Sequence, residues 1–86
     1  MKVNVNCGTI ESPVVIATLT HPESYMGQYD VIAYGSEKFL EVQYRGTYSC
    51  VCFEITDDLG EIKERALDAM ETNKDWVRDA YVIKAV

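Results

Sequence analysis

Glu61, Glu64, Asp68, Glu71 and Asp75 recur at spacings of three and four residues. On an α-helix that spacing stacks side chains on one face, so the five would form a ridge of carboxylates, about 5 Å apart along a line of roughly 20 Å. The chemistry of such a ridge is electrostatic. It would present negative charge to a basic groove on a partner, including a groove that normally holds phosphates, because complementary potentials speed association and suppress wrong partners. Lys63, Arg65 and Lys74 flank the row, and among them Glu61 and Arg65 form a favourable i,i+4 pair. The reading requires five acids that look outward without internal Lys or Arg partners. Its plain alternative is a solvated outer face, since an acidic protein must put its acids somewhere. Leu67 falls off the apolar side of the same helix, toward the acids, and an exposed Leu67 would anchor the contact.

Other residue types offer less. Cys7, Cys50 and Cys52 are three thiols, with a single histidine, His21, to complete a metal site. A structural zinc is therefore not expected, and no metal or cofactor is. Cys50 and Cys52, one residue apart in a β-rich run, share one face of a strand, and nothing local lowers a thiol pKa. Free cysteines fit a reducing compartment. Asp30 and Glu41 are expected neighbours across a hairpin, where two carboxylates could repel and raise one pKa. There is no glycine-rich phosphate loop, no nucleophile elbow and no histidine beside a nucleophile motif, so the chain is not expected to be an enzyme. His21 to Tyr29 holds a proline, a glycine and no periodicity. It reads as a loop that carries Tyr25, Met26 and Tyr29, amphipathic side chains of the kind used in contacts.

The elements that would position these groups follow from periodicity. Lys2 to Cys7 alternates as a half-buried strand, and Val14 to Thr20, after Pro13, is β-branched on both sides like a central strand. Asp30–Tyr34, Glu37–Tyr44 and Thr47–Ile55 read as a meander joined by two-residue turns at Gly35-Ser36 and Arg45-Gly46. That register aligns Val31, Leu40 and Val51 on a core face, and Ile32, Phe39 and Cys52 on the other. Asp58 with Glu61 has capping-box spacing, with Thr56 as an alternative cap, and Leu59, Ile62, Ala66, Ala69 and Met70 form the apolar stripe of a helix from Asp58 to Thr72. Asn73 is a plausible stop, Trp76 and Val77 a short connection, and Ala80–Val86 a last strand. The expected fold is one α+β domain over residues 1–86, a mainly antiparallel sheet of five or six strands with one helix on one face, in the order β-β-β-β-β-α-β.

Composition bounds the function. A chain of 86 residues buries only about 60–65% of the surface its unfolded form exposes, room for one sheet and one or two helices. No run approaches the roughly 18 to 20 apolar residues of a membrane span, and the start lacks a signal-peptide core, so a cytoplasmic protein is expected. Eight Lys and Arg against fourteen Asp and Glu give a net charge of −6, which opposes direct binding to nucleic acid or anionic membrane. Glu54 to Asp79 alone carries nine acids and four bases, −5 of that total. A larger, basic protein partner is expected. The expectation is thus a non-catalytic inhibitor-like or regulator-like binding domain, of the size and charge of phage-encoded proteins that obstruct restriction or CRISPR systems. The rivals are a self-associating structural module using an apolar sheet face or edge strand, and a small ligand-binding regulatory domain.

Overall fold

The computed structural model describes residues 1–23, 27–45 and 50–86, with the backbone alone at Cys50. Five strands form one sheet: β1 Val14–Thr20, β2 Gln28–Ala33, β3 Phe39–Tyr44, β4 Cys50–Glu54 and β5 Val82–Ala85. Their order is β4-β3-β2-β1-β5, every neighbouring pair antiparallel. Helix α1, Leu59–Ala69, and a short α2, Asp75–Ala80, lie between β4 and β5. The α+β class and the helix on one face are as expected, and the last strand returns to pair with β1.

The inner sheet face is apolar because alternate strand positions are. Ala17, Leu19, Val31, Ala33, Leu40, Val42 and Phe53 point to it and meet Ile62, Ala66 and Leu67 of α1. Ile16 is an extra residue between Val15 and Ala17 in the pairing with β2, a bulge that returns Ala17 and Leu19 to the inner face while Ile16 itself stays buried.

Three expectations about elements are corrected. Lys2 to Cys7 is extended but forms no strand. Val3 donates to the Asp57 carbonyl and Leu59 to that of Met1, so its hydrogen bonds go to the start of α1 while Val5 reaches the core. The meander register moves by two residues: Val31 faces Val42 and Val42 faces Val51, so the outer rows read Ile32–Glu41–Cys52 and Asp30–Gln43, and Gln43 pairs with Cys50 through the backbone. A shift of two leaves every side chain on its expected face. For β2 and β3 the cause lies at their connection, which is residues 34–38 rather than a two-residue turn. Gly35 takes φ +77° and a Cβ there would stand 2.9 Å from the Gly8 carbonyl oxygen, while Ser36 Oγ accepts from the backbone of Lys38 and Phe39. Asp30 and Glu41 are consequently not opposite one another; Asp30 pairs with Arg45 at 3.3 Å. The expected Arg45-Gly46 turn lies in part outside the described residues.

The third correction is the helix end. α1 stops at Ala69, with Met70 as its cap, and not at Thr72. Glu71 turns left-handed at φ 59°; its N–H bonds to the Asp68 carbonyl, and the Thr72 N–H to that of Leu67. This pattern of paired bonds closing a helix favours glycine at the left-handed position, which here is occupied by a glutamate.

Two substitutions at left-handed positions should therefore move stability in opposite directions in urea denaturation. Glu71→Gly relieves the Cβ crowding and should raise stability by up to about 1 kcal/mol. Gly8→Ala should lower it by about 1–3 kcal/mol, since Gly8 sits at φ +73° and a Cβ there would meet the Ala33 carbonyl oxygen at 2.6 Å.

Candidate partner-binding surface

The acids begin at the helix start, where unpaired N–H groups draw them. Asp58 Oδ1 accepts from the Glu61 N–H at 3.1 Å, the N-cap half of the expected capping box. The Glu61 carboxylate does not reach back to the Asp58 N–H. It accepts from the Thr56 hydroxyl at 2.7 Å, and Thr56 Oγ1 in turn receives the Asp58 N–H at 3.4 Å, so both expected caps take part. The backbone N–H donors of α1's first turn, Glu61 foremost, hold the Asp58 carboxyl below its ordinary value.

Glu61 also lies 3.5 Å from Arg65, the i,i+4 pair expected. Arg65 does more than pair: its Nη1 donates at 3.1 Å to the carbonyls of both Glu54 and Ile55, where β4 ends.

Arg78 of α2 reaches back to α1. Nη2 donates to Glu64 Oε2 at 2.6 Å and to the Glu64 carbonyl at 3.4 Å; Nη1 donates to Asp68 Oδ1 at 2.8 Å and to the Thr72 carbonyl at 2.9 Å. The guanidinium thus ties the end of α1, the turn after it and α2 together, and charge-assisted bonds to two carboxylates are among the stronger polar contacts available. Hydrogen bonds to Glu64 and then Asp68 hold its proton more tightly than usual.

These contacts correct the picture of a free file of five acids. Glu61, Glu64 and Asp68 each have an internal arginine partner, so the requirement of unpartnered carboxylates fails for three of the five. Glu71 stands beyond the helix in its left-handed turn, and Asp75 is the first residue of α2, so neither continues the row. Outward orientation does hold: the side chains of Glu64 and Asp68 are 61% and 70% exposed, while that of Arg78 behind them is 16% exposed. No protein-family profile, curated protein sequence or solved structure matches this chain.

The remaining candidates fare unequally. Leu67 is fully buried and cannot anchor a partner. The chain doubles back along that flank of α1, where the Thr72 N–H binds the Leu67 carbonyl and Val77 and Tyr81 join the same apolar cluster. Tyr29 is not in a loop. It belongs to β2, with its ring edge-on to Tyr44 at 5.4 Å and tilted against Tyr81 at 6.4 Å, turned to the core. Burial, with Tyr29 beside it, raises the Tyr81 phenol above its ordinary value. Tyr25 and Met26 lie outside the described residues. Cys7 is half-buried with its thiol toward the Asn4 carbonyl, and Cys52 is exposed on the outer sheet face, 3.8 Å from Glu41. Among the described residues no group of His, Cys, Asp and Glu could hold a metal ion, and no helix is long and apolar enough to cross a membrane.

Sequence reasoning missed α2 and, with it, the role of Arg78 and the position of Trp76, which is 70% exposed. The stretch Asp75–Ala80 has an acid in its first turn, a base in its last and neither Gly nor Pro, which is the available signal, though six residues are too few to show a period. As expected of a helix on one face, the outer sheet face is left uncovered, with Phe39 and Val82 exposed.

If Arg78 holds the two helices together, Arg78→Met should lower the denaturation midpoint more than Glu64→Gln or Asp68→Asn alone, because each amide keeps an oxygen for the guanidinium. A second check is titration. Asp58 has its carboxyl pKa lowered on folding, so its stabilisation is present above the ordinary value of 3.8 and is lost as pH falls through the lower folded value. Asp58→Ala should flatten the dependence of the urea midpoint on pH in that acidic window.

Proposed function

We propose that the chain is a non-catalytic protein-binding domain whose helical layer offers carboxylates to a basic site on a larger partner. The observation that carries this reading is the layering at Arg78: the carboxylates of Glu64 and Asp68 stand in front and the guanidinium behind. An approaching surface meets oxygens before it meets the cation. The pairing removes one charge from the surface, yet it also fixes both carboxylates in place, which lowers the ordering cost of a contact. Between Glu61 and Asp79 the acids are six and the bases four, a local excess of −2, so the contact is of modest charge and geometrically specific rather than a long-range electrostatic trap. Obstruction of a site that normally holds nucleic acid is one form such binding would take, on the strength of the chain's size and acidity.

A second reading, self-association, draws on the uncovered sheet face with Phe39 at 45% exposure. Against edge pairing stand two features that blunt edges in natural sheets. β5 is four residues long and carries Lys84, and Arg65 occupies the carbonyls where β4 ends.

The readings part in one experiment. Capture on the immobilised protein from source-cell lysate at low salt should retain a basic protein that elutes as salt rises and that nucleic acid displaces. The variant Glu64→Gln/Asp68→Asn/Glu71→Gln, neutral at three positions but not reversed against Arg78, should fold and retain much less. Retention by this variant equal to wild type, or binding that salt leaves unchanged, would sink the acidic contact. A dimer mass in light scattering at micromolar concentration would favour self-association.

A further inference from the structure

The acids of α1 are largely committed to internal arginines; those of α2 are not. Successive residues of a helix are 100° apart, so Asp75, Asp79 and Trp76 fall within about a 100° arc, with Val77 and Arg78 on the other side. Burial follows the same division, since Asp75, Trp76 and Asp79 are exposed while Val77, Arg78 and Ala80 are half-buried. No described residue makes a hydrogen bond or ion pair with the carboxylate of Asp75 or Asp79. Beside them on the arc stands an indole that is 70% exposed, the largest aromatic side chain of the protein left to solvent.

We infer that this arc, Asp75, Trp76 and Asp79, is the anchor of the protein contact and takes an arginine-bearing segment of the partner. The inference rests on the reading of the chain as an acidic protein-binding domain and narrows it to one occupant. Arginine is favoured over lysine by chemistry. A planar guanidinium stacks on an indole face while its edge donates to a carboxylate, and an ammonium offers a point charge that cannot do both with the same geometry. Net charge alone does not make the site. Lys74 at the N-cap offsets one of the two aspartates, and Arg78 is already held by Glu64 and Asp68. The local excess is therefore −1, and what distinguishes the arc is a stacking surface beside two unengaged carboxylates. Tryptophan is also among the residues on which binding energy concentrates at protein interfaces.

The chain contains one tryptophan, so its emission reports on this arc directly. The probe is an octa-arginine peptide titrated into the full chain at low salt, with octa-lysine for comparison and calorimetry as a second readout. Wild type should show a saturable change in Trp76 emission, tighter binding of octa-arginine than of octa-lysine, and release as NaCl rises. Trp76→Ala and Asp75→Asn/Asp79→Asn should each weaken octa-arginine binding about tenfold, while Trp76→Phe keeps most of it. The three side chains replaced are all exposed, and thermal melting establishes that each variant is folded. Salt-sensitive binding of equal strength in wild type and Trp76→Ala would overturn this inference and leave the broader acidic reading standing. No salt-sensitive binding of octa-arginine to wild type would overturn both. Binding lost in Trp76→Ala but insensitive to salt would show an apolar occupant and would overturn the arginine assignment.

Discussion

One guanidinium decides how the helical layer is built and which of its charges remain available. Arg78 lies ten residues from Asp68 and fourteen from Glu64, and it binds both carboxylates together with the carbonyls of Glu64 and Thr72. The first helix alone ends in unsatisfied carbonyls and the second is too short to be stable by itself. Bound together through Arg78, with Val77 and Tyr81 joining the core, they form a layer that can lie across the sheet. The same contact sorts the acids into two kinds, those that hold the fold together and those that do not.

The second constraint is area. A chain this short has helix enough to cover one face of five strands, and the core accordingly sits on that side. On the outer face Asp30 pairs with Arg45, which also reaches Gln28, while Cys52 lies beside Glu41, so a mixed and partly wet surface is held by its own polar pairs. An antiparallel sheet tolerates this arrangement, where a parallel one would not.

Most of the fold was legible in local pattern. The β-branched run at Val14–Thr20, the alternation of Leu40, Val42, Val51 and Phe53, and the Asp58–Glu61 cap each encode their own structure within a few residues. What could not be read was set by contacts distant in sequence. The β2–β3 register goes with a longer connection in which Gly35 is seated against Gly8, and the burial of Leu67 follows from the return of the chain past the helix. The candidate surface was legible in composition and misplaced in geometry. A spacing of three and four shows that Glu61, Glu64 and Asp68 share a side of α1, but nothing in that spacing tells that Arg78 comes from another helix to meet two of them. Asp75 was counted into a row that the left-handed turn at Glu71 had already broken.

The near-touching backbones of Gly8 and Gly35 join two stretches that are otherwise remote, the N-terminal arm and the connection between the second and third strands. A side chain at Gly35 would push directly on the arm, because the gap between the two stretches has no room for one more carbon. In hydrogen-exchange terms, loosening the arm would be felt both at the helix start it bonds to and at the strand connection it packs against.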